Sequence, residues 1–563
     1  MVKLKVILPT MVKLTVILLT LYVTIRLIIQ FIHSTRIGQR LSQKLIHGAR
    51  TEAGKYTGQG AGEYSIHVSN GKVINTQGES YSRVADQDDD SSRSATKDDS
   101  QYRKETQVES NSLAAAQDDD SSQPTTKDDS QYRKETQVES DSRRVAQIII
   151  CAVVSRLAIC IFVYFFSVLF SGEMSGFISS YRNLWDYSDA PHYVNIAENW
   201  YQSVGEDNVL IVFLPLYPIL IRLFALLFRD YFLSGVIISQ ISFVLSCILV
   251  YKVSRQLNYD EEKSFLSAKY MMLFPASFFV CSTFSESLFM LLSLLCIYFI
   301  LKNKWVISAL FGMLAAFTRY YGLLLAIPFA VEYIQTYFGA DTHMAQTQTG
   351  TPAQTRANEP AQTQTGTPAR TRTDVLAQTR TYEPAQTQTD VHTSRRAMAR
   401  NGIAVFLIPT GTLLYMLINK MVTGDALKFL YYQKNHWFQS FGIFYNNIET
   451  MTVNAMEWDH KTAATLFIPQ IVMIIGTLLL LLWCVNNKLR VSLVAYVFVY
   501  MIISISPTWL LSFPRYIFGA VPIFLFLAAL GGKSKSWDLI ISFVFVLTLS
   551  FLSVAFTNGM RVF

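Results

Sequence analysis

Almost every part of the chain that is not strongly polar is an apolar run of roughly 17–25 residues, the length of helix that crosses a bilayer's hydrocarbon core. Inside that core every backbone N–H and C=O must find a partner within the protein, so such runs are constrained to fold as helices. Of the 563 residues, 51% are hydrophobic and only 16% are charged, and the mean hydropathy is positive at +0.27. Much of the charge is confined to 33–146 and 339–401. With those segments set aside, the chain reads as an all-α polytopic membrane protein with about 11–12 transmembrane helices.

The net charge of +7 does not mark a nucleic-acid footprint. Lys and Arg flank the apolar runs, as expected for cytoplasmic loops, and form no basic face interleaved with aromatics. Cys151, Cys160, Cys247, Cys281, Cys296 and Cys484 lie in or beside apolar runs without a CxxC pair. They read as packing residues rather than disulfide or metal positions.

The N-terminal region, 1–32, opens with MVKLKVILPT followed by MVKLTVILLT. It is too long for a signal-peptide core and lacks a small-residue cleavage site, so a signal-anchor helix is expected. The duplication sets Met11 in the same context as Met1, and either suits a start. The polar region 33–146 carries a second repeat, DDDSSRSATKDDSQYRKETQVES (88–110), which returns as DDDSSQPTTKDDSQYRKETQVES (118–140). A third, of eight residues (AQTQTGTP, AQTRANEP and variants), fills 345–392 within 339–401. None offers an apolar face to stack, so both polar regions are expected to be disordered rather than solenoidal. The membrane parts are then 147–338 and 402–563.

Charge at the run ends threads these parts. Arg143 and Arg144 set the start of 147–171 in the cytoplasm, which makes 172–208 the first external loop. Lys252, Arg255 and Lys263 mark a cytoplasmic loop after 232–251. Runs 265–282 and 285–302 form a hairpin with an external tip, and 305–319 and 321–337 lead out and back to the octapeptide repeat. Run 402–420 leads to an external loop, 421–464. Runs 465–484, 491–506, 516–531 and 537–557 complete the threading. It closes only if 209–228, with two prolines in PLYP, is re-entrant rather than spanning.

Short polar motifs then fall on the external side. LWDYSDAPHYVNIAENWY (184–201) supplies Asp186, Asp189, His192 and Tyr193, with Asp189 and His192 spaced i,i+3 to share a helix face. FPASFFVCSTFSES (274–287) supplies Glu286, TRYYG (318–322) Arg319, GDALKFLYYQKNHW (424–437) Asp425 and Lys434, and SFPRY (512–516) Arg515. Singly, each has an ordinary reading: the carboxylates as solvated caps, the arginines as snorkelling anchors, His192 as a bonded structural histidine, GDALKF as a turn. Their convergence on one face favours a site, because ionisable groups at membrane depth are costly. It suits a lipid-borne polar head group, with a cation for phosphate, aromatics for a sugar and a carboxylate as base.

The motifs resemble a known family. DAPHYVNIAENWY looks like the WDxxHYxxIAxxGY loop of the PIG-V (GPI mannosyltransferase 2) family and its prokaryotic relatives. FLPLYP (213–218), SESLF (285–289), TRYYGLL (318–324), GDALKFLYYQKNHW and SFPRY follow in that family's order, so the resemblance spans about 180–525. It implies a GT-C-like fold whose active site lies on the external first loop. It also implies transfer of a mannose-like sugar from a polyprenyl (dolichyl) phosphate donor to a lipid-linked glycan or other external acceptor, with inversion. Matching DxxHY carries the catalytic base over to Asp189, with His192 and Tyr193 beside it. The family has Trp directly before that aspartate, whereas here Ser188 precedes it and Trp185-Asp186 stands three residues earlier, which keeps Asp186 as an alternative. Arg515, Arg319 or Lys434 would steady the leaving phosphate, Arg515 first by its helix-end position, with Glu286 and Asp425 further substrate contacts.

The form GDxxxF…Q…W is closer to prokaryotic members, so the acceptor need not be a GPI precursor. The implied location is the cell membrane in a prokaryote and the endoplasmic reticulum membrane in a eukaryote. The partners expected are membrane lipid, the sugar donor and a glycan or glycolipid acceptor, with no nucleic acid. No cofactor or metal ligand is assigned, and a divalent-metal requirement stays open. A transporter or flippase is the rival from another class. It predicts similar halves, which the sequence does not show, and site charges at mid-helix, whereas the motif charges cluster at external helix ends.

Overall fold

A computed structural model describes residues 2–34, 68–69, 72–73, 126–172, 176–338, 401–508 and 512–562. The first copy of the long repeat and the octapeptide repeat lie outside the described residues. Two compact units are present, Lys44–Gln137 by itself and a larger one made of Met1–Gln43 with Val138–Phe563. In the smaller unit, β1 (Val68–Ser69) pairs antiparallel with β2 (Lys72–Val73); these are the only strands among the described residues.

The larger unit is helical. α1 runs Val2–His33; α2 runs Thr126–Ser171, of which the part from Val138 belongs to this unit. On the first loop, α3 (Phe177–Trp185) and α4 (Ala190–Asn199) follow. Then come α5 (Leu216–Phe228), α6 (Tyr231–Gln256), α7 (Glu261–Leu273), α8 (Glu286–Leu301), α9 (Trp305–Thr318) and α10 (Ala326–Phe338). After the octapeptide region lie α11 (Thr410–Thr423), α12 (Lys428–Asn435), α13 (Phe444–Glu457), α14 (Ile468–Asn486), α15 (Val491–Ser504), α16 (Phe513–Phe518), α17 (Pro522–Gly531) and α18 (Lys535–Thr557).

Among the described residues, six stretches are long and apolar enough to span: Leu8–His33, Asp141–Phe170, Tyr231–Gln256, Asn401–Thr423, His460–Asn486 and Lys535–Thr557. Four further apolar helices, α8, α9, α15 and α17, are shorter. The architecture is thus all-α and polytopic, but fewer helices reach full span length than the apolar runs suggest. Prolines account for much of the difference. α7 ends at Leu273 instead of running on to 282, because Pro275 disfavours helical backbone in the residue before it and offers no N–H. The chain continues as a 3₁₀ turn, Ser277–Cys281.

The same holds at FLPLYP. A 3₁₀ segment, Glu206–Val212, and α5 form one apolar pair bent by 112°, with Pro215 capping α5. The break frees three carbonyls, and three tyrosine hydroxyls donate to them: Tyr415 to Ile211 O at 2.6 Å, Tyr320 to Val212 O at 2.8 Å and Tyr201 to Phe213 O at 2.6 Å. Irregular backbone at this depth is sustained only by such partners. Tyr415→Phe leaves the buried Ile211 carbonyl without its donor and should cost about 1–3 kcal/mol in a detergent or thermal unfolding measurement; a change within noise would contradict this account of the break.

One expectation is corrected. Residues 126–146, read as part of a disordered segment, are helical and continuous with the apolar part of α2. Extending an existing helix fixes one residue per hydrogen bond gained, whereas starting one does not, so the apolar run nucleates helix back into the polar repeat. Arg144 also pairs with Glu261 and Glu262 at the start of α7 (2.5 Å each).

Arg144–Glu261 and Arg490–Glu332 (2.6 Å) join segments assigned to the cytoplasmic side. α1 packs along α13 and α14, with Lys13 on Glu449 at 2.7 Å and Gln30 Nε2 on Val485 O at 2.6 Å.

Candidate active site

The site begins with a turn. Ser188 adopts φ +62°, a left-handed conformation uncommon outside glycine, and reverses the chain between α3 and α4. Asp189 lands at the N-cap of α4, yet its side chain makes no capping bond. The carboxylate is therefore free to face inward, where Arg515 of α16 donates Nη2–H to Asp189 Oδ2. Arg515 also donates Nε–H to Glu286 Oε1.

Glu286 opens α8 and is 2% exposed. Its Oε1 takes a second guanidinium, Arg319 Nη1 at 2.8 Å. Arg319 reaches it because the chain leaves α9 there in extended conformation and turns back at Gly322. A Cβ on that glycine would lie 2.2 Å from the Ala316 backbone nitrogen, so the close approach requires glycine. Ser285 ties the group together: its Oγ accepts from Arg319 Nη1 at 3.1 Å and shares a 2.8 Å hydrogen bond with the Tyr193 hydroxyl. The rings of Phe284 and Phe279 lie 4.8 and 5.4 Å from the Arg515 guanidinium, an arrangement that stabilises a desolvated cation.

Two guanidinia and two carboxylates thus form one buried network drawn from α4, α8, the end of α9 and α16. Its formal charge sums to zero. A charge pair this buried persists only where each member is bonded, and the shared geometry of Glu286 Oε1 meets that requirement for both arginines.

At the rim, the His192 ring lies 5.4 Å from Phe213 and 5.8 Å from Trp437. Trp437 follows α12, and its Nε1 is buried without a hydrogen-bond partner. Burial lowers the His192 pKa from its ordinary value, and nearby Asp189 opposes this only in part. The folded state thus resists a proton that the unfolded chain accepts, so stability should fall as pH drops from about 7 to about 5. In His192→Gln that contribution is absent, and the melting temperature should fall less steeply over the same range; an unchanged slope would contradict the assignment.

The remaining expected residues stand elsewhere. Asp186, at the C-cap of α3, pairs with Arg182 at 3.6 Å, and Arg182 also meets Asp230 at 3.4 Å. Burial raises the Asp186 pKa, with Arg182 working against it. Asp425 is exposed and accepts the Leu427 N–H at 2.9 Å, closing a turn. Lys434 is exposed on α12. Neither is drawn into the charged network. Ser285 and Trp437 were not singled out from the sequence, although both lie inside quoted motifs. Ser285's place directly before Glu286 at a helix start was the available signal. Among the described residues no group of three or more His, Cys, Asp or Glu is placed to hold a metal ion.

Fold and site together describe an all-α polytopic membrane protein, consistent with a GT-C-like architecture, that gathers buried charge into one network. Residues 145–350 match the family model described as Mannosyltransferase (PIG-V). That match supports an enzyme with glycosyltransferase activity. It covers Asp189, His192, Tyr193, Glu286 and Arg319, while Asp425, Lys434 and Arg515 lie beyond it. No curated protein matches the chain.

Proposed function

We propose that the protein transfers mannose from a polyprenyl-phosphate donor to a glycan or glycolipid acceptor on the external face of its membrane, with Asp189 as the general base. The observation that carries this reading is the Asp189–Arg515–Glu286 arrangement. Asp189 is held by one oxygen, Oδ2, which leaves Oδ1 to take a proton.

In the reaction an acceptor hydroxyl gives its proton to Asp189 Oδ1 as its oxygen attacks the sugar's anomeric carbon. The bond from that carbon to the phosphate oxygen breaks, and polyprenyl phosphate leaves with the electron pair. Attack opposite the leaving group inverts the anomeric centre.

Proton transfer changes the charge of the network. Neutral before the step, it carries one net positive charge once Asp189 is protonated, at the moment the phosphate gains negative charge. Stabilisation timed to the developing charge lowers the barrier rather than tightening ground-state binding. Arg515 is on this reading the orienter of Asp189 and acts on the phosphate through its field. Lys434, exposed on α12, suits direct contact with the phosphate. His192, whose burial disfavours the protonated form, serves as a hydrogen-bonding partner for the sugar.

The test is the anomeric configuration of the product. Nuclear magnetic resonance of mannoside made by the purified protein from a donor of known configuration should show the opposite configuration. Retention would overturn direct displacement with Asp189 as base.

A further inference from the structure

We propose that Arg156, on α2 and outside every motif of the site, is a positioning residue that holds the Phe274–Ser285 tip in the conformation that presents Ser285 and Glu286. The residue lies within the membrane span Asp141–Phe170 and is 3% exposed. Among the described residues no carboxylate pairs with it. A guanidinium in such a place is costly unless its N–H groups are used.

They are used on backbone. Arg156 Nη1 donates to Ser277 O at 2.6 Å and Nη2 to Met272 O, and the Phe243 ring lies 4.8 Å from the guanidinium. Met272 O is one of the last-turn carbonyls of α7, which lose their helical donors because the helix stops before Pro275. Those carbonyls also form the negative end of the helix dipole. Ser277 Oγ also donates to Met272 O, at 2.9 Å; what the guanidinium adds is a fixed positive charge whose planar fork reaches the Met272 and Ser277 carbonyls together.

Beyond Arg156 the tip is fastened step by step. Gln240 Nε2 donates to Val280 O at 3.0 Å, Tyr181 to Cys281 O, and Ser239 to Phe284 O at 3.0 Å. Thr283 Oγ1 donates to Phe232 O at 3.1 Å and Ser282 to Trp185 O. Arg156 is the charged member and makes two of these bonds, at the point where helix gives way to turn. The segment so held ends at Ser285 and Glu286, which meet Tyr193, Arg319 and Arg515.

The catalytic part of this inference rests on the mannosyltransfer reading; the structural part does not. The test uses two native cysteines that are both free and 0% exposed, Cys281 in the tip and Cys484 on α14. Full-length protein in membranes is treated with a membrane-permeant maleimide, and labelling at each cysteine is followed by peptide mass spectrometry. In Arg156→Gln, Cys281 labelling should rise about tenfold with Cys484 unchanged, the signature of local opening. Arg156→Lys, which keeps the charge but not the fork, should fall between. Transfer by Arg156→Gln should lose kcat with KM nearly constant.

Unchanged labelling of Cys281 would overturn the proposal, as would a joint rise at both cysteines, which signals general unfolding. A rise at Cys281 with kcat unchanged would overturn the link to the site. The labelling contrast in a protein that transfers no sugar would uphold the pinning of the tip and count against the mannosyltransfer reading instead.

Discussion

Asp189→Asn is expected to lower kcat for sugar transfer about 10²- to 10⁴-fold, the usual worth of a positioned general base, while the protein inserts and folds normally. The amide keeps the shape of the side chain and an oxygen for Arg515, but it cannot accept the acceptor's proton. Donor KM should change little, since the lost interaction belongs to the transition state. Asp186→Asn is the matched control. Its carboxylate is engaged by Arg182 at the end of α3, away from the Arg515 network, and transfer should stay within about threefold of wild type (~0.7 kcal/mol). Near-normal turnover in Asp189→Asn, or the larger loss in Asp186→Asn, would reverse the assignment of the two aspartates.

Glu286→Gln should be the most destabilising single change in the network. It removes the carboxylate that Arg319 and Arg515 share and leaves two buried guanidinia against Asp189 alone. Breaking a buried pair by removing one partner costs about 3–5 kcal/mol, which a denaturation curve in detergent would resolve easily. The double variant Glu286→Leu with Arg319→Met removes a whole pair and leaves Arg515 with Asp189. It should recover most of that loss, because replacing a buried pair by apolar side chains is often close to neutral. A cost below about 1 kcal/mol for the single change would mean that the network is wetter or looser than its geometry indicates.

Much of this architecture is legible in the sequence because the bilayer imposes simple rules on length and polarity. Apolar runs locate the helices, and flanking Lys and Arg sort the loops; contacts such as Arg490–Glu332 join residues that the charges had placed on one side. What hydropathy does not show is where an apolar run breaks. Run 265–282 is continuous in composition, yet Pro275 splits it into α7 and a 3₁₀ turn, and side chains distant in sequence decide whether that break is tolerable. The helix over 126–146 is the opposite case, where polar composition argued against order and an adjoining helix supplied the nucleus.

In the candidate site, motif order pointed to the residues but not to their pairings. Asp189 and Arg515 are 326 positions apart, and Glu286 and Arg515 are 229 apart. Arg515 stands at a helix end, which suggested a cation offered to a phosphate. Its position in sequence carries no sign that two carboxylates already hold it. Asp425 and Lys434, quoted from the same motif, are distinguished only by the fold, which leaves both at the surface. Arg156 lay in an unbroken apolar run, and only its contact with the carbonyls of a distant break gives it a role.

The most direct test of the central claim is transfer from labelled polyprenyl-phosphate mannose by the purified full-length protein in proteoliposomes supplied with extracted membrane glycolipids. The account predicts that label passes into an acceptor with release of one polyprenyl phosphate per mannose transferred. It also predicts that Asp189→Asn slows both about 10²- to 10⁴-fold. Folded wild-type protein that leaves the labelled donor intact, or that moves it across the bilayer without cleaving the sugar–phosphate bond, would contradict it.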